Sequence, residues 1–279
     1  MPPAVGPTVL VTGATDGIGR ATALALAARG ATVLVHGRDP ARAAAVAGEA
    51  NAVPGAPGDA AFVVGDLASL AAVRELAAAV RARGAPLDVL VNNAGVAFRD
   101  AQRRLSADGF ELTFAVNHLA HFLLTRELLD LLAEGAARRG GARVVTVSSE
   151  LHARGRIDFD DLQGERRYGG TAAYARSKLA NVLFARALAR RAAARGVTSN
   201  ALHPGVIRTK LLREGFGSQG GAAVERGAAT SVHLALSPTV AAVTGAYFVD
   251  CRETAPAPAA LDDAVGERLW EVSEVMVGV

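Results

Sequence analysis

Thr12-Gly13-Ala14-Thr15-Asp16-Gly17-Ile18-Gly19 follows directly on an apolar run at 8–12 and leads into an Ala/Leu-rich stretch at 19–29. A strand that turns through three glycines into a helix suits a phosphate-binding turn. The glycines let the backbone approach a pyrophosphate, and the helix start offers free N–H groups at its positive dipole end. Glycines alone would equally fit a tight turn; the strand before and the helix after favour a dinucleotide. The spacing is GxxxGxG, and Gly13, Thr15, Asp16, Gly17, Ile18 and Gly19 are assigned to the coenzyme.

Outward from this turn the same alternation repeats. Short Val/Leu-rich runs at 8–12, 32–36, 61–64, 87–91, 143–148, 197–202 and 246–249 read as strands covered on both faces. Between them, 19–29, 40–50, 70–83, 107–133, 172–195 and 224–236 read as helices. Strand-helix alternation implies right-handed crossovers and an α/β fold, a single doubly wound parallel sheet of Rossmann type with helices on both faces. No linker or composition shift divides the chain, so 1–279 is expected to be one domain. The glycine-rich segment 211–227 is a candidate substrate lid, and a docking helix is expected near 261–276, carrying Leu269 and Trp270.

Composition narrows the function classes. The chain has 279 residues, 51% hydrophobic but only 5% aromatic, so its core is built from Ala, Val and Leu. A net charge of +3 without a basic tract argues against nucleic acid as a partner. Cys251 is the only cysteine, which excludes an internal disulfide and a multi-cysteine metal site and fits a reducing, cytoplasmic setting. The opening residues 1–7 show no basic segment followed by an apolar one, and no apolar run approaches roughly 20 residues, so neither a signal peptide nor a membrane span is expected.

At the end of the second strand stand His36-Gly37-Arg38-Asp39. A carboxylate there would bond an adenosine 2′-hydroxyl and select NAD; an arginine would accept a 2′-phosphate. Arg38 therefore favours NADP(H) over NAD(H), against the alternative of an ordinary surface arginine, and Asp16 in the first turn argues mildly the other way. Asp66-Leu67 ends the third strand, where the carboxylate either accepts from an adenine amino group or caps a helix.

Tyr174-Ala175-Arg176-Ser177-Lys178 puts a phenol and an ammonium one helical turn apart. A neighbouring cation favours phenolate and brings the tyrosine towards its working pH, which suits a general acid/base. By chance, three tyrosines and two lysines would give this spacing at roughly 2%. Among 30 basic residues only Lys178 and Lys210 are lysines, in a chain that otherwise uses arginine.

These motifs, with Asn92-Asn93-Ala94-Gly95, Asn117, Ser148-Ser149 and His203-Pro204-Gly205, occur in the order of the short-chain dehydrogenase/reductase family. More narrowly, the chain resembles the retinol dehydrogenase-like branch, through the stretches 116–125, 161–165, 174–181 and 268–273 and through the 25-residue separation of Ser149 and Tyr174. The resemblance implies that Tyr174 is the acid in carbonyl reduction and the base in alcohol oxidation. Ser149 would hydrogen-bond the substrate oxygen, Lys178 would hold the nicotinamide ribose and tune Tyr174, and Asn117 would position a relay water. Asn93, Ala94 and Gly95 would line the adenosine side, and Pro204, Gly205, Val206 and Thr209 the nicotinamide. Membrane-bound members of the branch carry an N-terminal anchor, whereas this chain starts almost at its first strand, which leaves retinoids doubtful as substrates.

Other polar residues read as structural. His118 and His121 have helical spacing but no third ligand, so packing or hydrogen bonding beside Asn117 is favoured over a metal, and no metal site is expected. Asp158, Asp160 and Asp161 read as a solvated turn, and His152 either touches substrate or holds its loop. The apolar faces of 112–132 and 179–188 are core or, by resemblance, contacts of a homodimer or homotetramer. The expected activity is hydride transfer between nicotinamide and a small, fairly apolar carbonyl or alcohol. The alternative is a non-enzymatic NADP(H)-binding sensor or scaffold on the same fold.

Overall fold

The computed structural model describes residues 6–279; residues 1–5, on which most of the leader reading falls, lie outside the described residues. Eight strands form one sheet in the order β3-β2-β1-β4-β5-β6-β7-β8. They are β1 Thr8–Val11, β2 Thr32–Gly37, β3 Ala61–Val64, β4 Val89–Asn92, β5 Ala142–Val147, β6 Val197–His203, β7 Tyr247–Val249 and β8 Arg252–Glu253. All neighbours are parallel except β7 and β8. The helices are α1 Gly17–Ala27, α2 Pro40–Ala52, α3 Leu70–Arg81, α4 Leu112–Phe114, α5 Ala120–Arg139, α6 Gly170–Ala192, α7 Lys210–Phe216, α8 Val224–Leu236 and α9 Asp263–Val277.

Strand alternation explains the layering. Leu34, Leu10, Leu90 and Val144 face one another across adjacent strands and enter one core, with α3, α5 and α6. Val9, Val11, Val33, Val35, Val89, Val91, Val145 and Val147 point the other way, into a core with α1, α2 and α8. The inner apolar runs are thus strands buried on both faces, as a doubly wound sheet requires, while the edge strand β3 leaves Phe62 and Val64 exposed. Strand order reverses between β1 and β4, and the crevice beyond the strands' carboxyl ends opens there.

Three expectations about elements change. The helix expected at 107–133 begins only at Leu112, because the Glu111 carboxylate accepts from Thr113 and Phe114 N–H at 2.9 and 2.8 Å and fixes that helix start. It then passes through a π turn at Ala115–Leu119 and continues to Arg139. The segment 211–227 is not one loop: Thr209 caps α7, a connector follows at 217–223, and the last residues belong to α8. Past Val249, Asp250 and Cys251 turn the chain with φ of 46° and 61° into β8, a hairpin the sequence reading did not contain. Of the two alternatives for the apolar faces of α5 and α6, core or contact between copies, the part near Phe122 and Phe184 is core, covered within the chain by α9, the docking helix expected near 261–276. Trp270 stacks on Phe184 at 5.9 Å and meets Phe122 edge-on at 4.8 Å, while Arg190 and Arg191 pair with Glu267.

Candidate active site

The phosphate-binding turn is close-packed backbone. Gly13 has φ +62°, and a Cβ on Gly19 would lie 2.2 Å from the Gly13 carbonyl oxygen and 2.5 Å from Asn93 Nδ2. Only glycine fits there, and the tightness leaves the α1 N-terminus open to an anion. Asp16 caps α1 through Gly17 N–H at 2.7 Å. Thr15 leans on Gly37, where any Cβ would stand 2.3 Å from Thr15 Cγ2, and Ile18 packs towards Gly227. Thr12 anchors the turn from behind, since its Oγ1 accepts from Asn93 and Ala94 N–H at 2.9 and 3.0 Å.

The other residues assigned to the coenzyme lie along the same edge of the sheet. Arg38 is exposed beyond β2, and Asp66, beyond β3, accepts from Ala68 N–H at 3.0 Å in a local turn, with Leu67 buried beside it; the cap of α3 is Ser69, not Asp66. Beyond β4, Asn93 donates to Thr12 O at 2.7 Å, Ala94 lies against Gly13, and a Cβ on Gly95 would be 3.3 Å from Asn117 Oδ1 and 3.6 Å from Lys178 Nζ. Beyond β6 come Pro204, Gly205 at φ +91°, the half-exposed Val206 and Thr209, the cap of α7. This glycine cradle, a helix N-terminus and five strand ends fit an extended dinucleotide.

Asn117, Ser149, Tyr174 and Lys178 come together beside that edge. Asn117 sits on the π turn, where Ala120 N–H donates to Ala115 O; such turns recur at functional sites. Its side chain accepts from Val96 N–H at 2.8 Å and donates to Ser177 Oγ at 3.0 Å, joining the β4 loop to α6. Lys178 donates to Val147 O at 3.0 Å, and its Nζ is 5.5 Å from the centre of the Tyr174 ring. Burial pulls the Lys178 ammonium down to about 8. Burial also pushes the Tyr174 phenol up to about 12, opposed only in part by a hydrogen bond with Ser149. The expectation of a lowered tyrosine is therefore corrected for this arrangement: desolvation outweighs the cation, which is turned to a carbonyl.

Several contacts had no sequence signal. Arg42, on the first turn of α2, donates to Thr15 O at 3.2 Å and meets Asp16 at 3.3 Å. His36 accepts from Gly13 N–H at 3.1 Å, and desolvation lowers it to about 4. His152 donates to Ser149 O at 2.7 Å and accepts from Ala257 N–H at 3.0 Å, pinning the tail 255–260 behind Ser149; this favours its loop-holding role. Phe216, at the end of α7, meets the Tyr174 ring edge-on at 5.2 Å. Asp161 accepts from the N–H groups of Glu165, Arg166 and Arg167, so the acidic cluster folds its own loop. Among the described residues no group of three or more His, Cys, Asp or Glu could hold a metal, and no helix is long and apolar enough to cross a membrane.

The sequence profile of the family described as short chain dehydrogenase matches residues 7–218. Human retinol dehydrogenase 14 is 44% identical, over 98% of this chain and 87% of its own. Among solved structures, the Pseudomonas aeruginosa RhlG/NADP active-site complex matches with TM-score 0.72 and 28% identity, covering 88% of this chain and 94% of that one. A 3-ketoacyl-(acyl-carrier-protein) reductase from Brucella melitensis, complexed with NADH, matches with TM-score 0.70 and 26% identity over 87% of this chain and 96% of that one. One neighbour holds NADP and the other NADH, so the fold by itself does not select the coenzyme.

Proposed function

Because the chain belongs to the short-chain dehydrogenase family, we propose that it is an NADP(H)-dependent oxidoreductase acting on a small, fairly apolar carbonyl or alcohol, with Tyr174 as its proton-transfer group. The observation that carries this reading is the convergence of Tyr174, Ser149, Lys178 and Asn117 beside the glycine turn. The nicotinamide, when bound, supplies or accepts the hydride. Tyr174 Oη donates a proton to the substrate oxygen in reduction and takes one back in oxidation. Ser149 Oγ hydrogen-bonds that oxygen, and the Lys178 ammonium favours the phenolate once it turns from Val147 O. Phe216 and α7 cover the site and exclude water.

Preference for NADP(H) rests on the β2 end. Gly37 leaves no room for a carboxylate against Thr15, Arg38 is free to meet a 2′-phosphate, and Arg42 offsets the charge of Asp16. A fairly apolar substrate fits the Phe216 cover and the retinol dehydrogenase relative. The deciding experiment is a screen of aldehydes, ketones and alcohols with both coenzymes, comparing the parent with Tyr174→Phe. Turnover should vanish in the variant while coenzyme binding persists; undiminished turnover refutes the assignment.

A further inference from the structure

His121 lies on the first turn of α5, four residues after Asn117 and 1% exposed. Its ring nitrogens face different partners. Nδ1 is 3.0 Å from the Asn117 carbonyl oxygen, and Nε2 is 2.9 Å from Thr12 Oγ1. A carbonyl only accepts, so Nδ1 carries the proton and Nε2 of the neutral ring is bare. Thr12 Oγ1 already accepts from Asn93 and Ala94 N–H, so its own proton points to Nε2 in preference to Val91 O, which is farther at 3.3 Å. A directed chain therefore runs from the β4 loop through Thr12 and His121 to the Asn117 carbonyl.

Both ends of that chain belong to the candidate site. Asn93 also holds Thr12 O and Gly13 O, the back of the phosphate turn, and Asn117 holds Val96 and α6. His118, three residues earlier, is the contrast. It lies among Phe114, Phe122 and Phe184, and its partners are Ser273 and Asn181 and not the turn or Asn117. Desolvation lowers His121 to about 3; the Asn117 carbonyl opposes this, while Lys178, His36 and His118 each disfavour a further charge. The tautomer is fixed by geometry and the neutral state by burial.

We infer that His121 is a positioning residue that transmits the arrangement of the nucleotide-binding turn to the Asn117 carbonyl, coupling coenzyme binding to proton transfer through one neutral imidazole. This rests on the assignment of the turn and Asn117 to a coenzyme-dependent site. Thr12 and Asn117 flank the ring, so removing one contact at a time separates the two functions. In His121→Asn the shorter amide keeps donation to Asn117 O and loses Thr12. In His121→Gln the longer amide keeps an acceptor for Thr12 and loses Asn117.

The test measures NADPH dissociation by intrinsic fluorescence, together with kcat, for both variants. His121→Asn should raise Kd about fivefold, the equivalent of one lost hydrogen bond, and lower kcat less than that. His121→Gln should show the opposite order, with kcat falling about tenfold and Kd changing less. Equal effects on the two constants in both variants, or lower thermal stability with neither constant changed, would overturn the inference. Nitrogen-15 NMR of the parent adds a direct reading, with the His121 ring assigned by the signal lost in His121→Asn, because His152 shares the Nδ1–H tautomer: the His121 ring should stay in the Nδ1–H tautomer from pH 8 to 5 and respond to NADPH. If the His121 ring instead titrates near 6.5 or shows Nε2–H, the coupling is wrong. Should the parent turn over no substrate, the proposed function fails, while the NMR result and the Kd order still decide the role of His121.

Discussion

Lys178 gives its ammonium to the carbonyl of Val147 at 3.0 Å while Nζ stands 5.5 Å from the centre of the Tyr174 ring. Burial acts on both groups, one helical turn apart: it pushes the phenol up to about 12 and pulls the ammonium down to about 8. In the proposed mechanism the protonated phenol serves reduction, and oxidation would call for the lysine to leave Val147 O and favour the phenolate.

The pH dependence follows from that arrangement. Alcohol oxidation needs phenolate, so its rate should rise with pH, and Lys178→Met should move the apparent pKa of kcat upward by at least one unit. A pH profile of both proteins checks this; an unmoved pKa would mean that Lys178 does not act on the phenol.

Coenzyme choice is testable at the β2 end. Arg38→Ala should weaken NADPH about tenfold more than NADH, roughly 1.4 kcal/mol for a charged contact, as measured by dissociation constants. Arg42→Ala should act in the same direction and more weakly, by leaving Asp16 uncompensated. Gly37→Asp alone should impair both coenzymes, because its Cβ strikes Thr15 Cγ2; with Thr15→Ser in addition, NADH should gain relative to NADPH.

Acid should destabilise the protein through three buried histidines. His36 is lowered to about 4 and His118 and His121 to about 3, each chiefly by desolvation. Below the unfolded value of 6.5 the unfolded chain binds their protons and the folded chain does not, so stability rises with pH between about 4 and 6.5. Three such groups give a slope of at most roughly 4 kcal/mol per pH unit near the middle of that window, falling to about half at pH 6.5, where the unfolded rings are half protonated. Urea unfolding at pH 6.5, 5.5 and 4.5 measures it, and a flat dependence would contradict the neutral state of these rings.

The β7–β8 hairpin offers a stabilising change. Cys251 holds φ +61°, a left-handed conformation that costs a non-glycine residue about 1 kcal/mol, and its N–H bond to Thr230 Oγ1 is independent of the side chain. Cys251→Gly should therefore raise the melting temperature by about 2 °C. A fall would show that the thiol's own packing outweighs the strain.

The inner part of the sheet was legible in the sequence because β1, β2, β4, β5 and β6 are buried on both faces and so read as apolar runs, whereas the exposed pair Arg252 and Glu253 of β8 carries no such signal. The glycine turn was legible because contacts such as Gly19 on Gly13 tolerate only one residue type. The π turn under Asn117 was not, since one extra residue in a helical turn leaves no mark in a periodicity that continues on both sides. Arg42 was hidden for another reason: it reaches Asp16 from another helix, 26 positions away, among many surface arginines. The rise of the Tyr174 phenol was invisible because spacing reveals a neighbouring charge but not the water excluded around it.

The helix that completes the larger core does so through one side chain, since Trp270 seats against both Phe122 and Phe184. Those two rings belong to α5 and α6, the helices that also carry the approach to Asn117 and the pair Tyr174 and Lys178. Stripping α9 from them would bare an aromatic surface on the very helices that frame the candidate site, so adhesion to other chains and loss of site geometry would arise together.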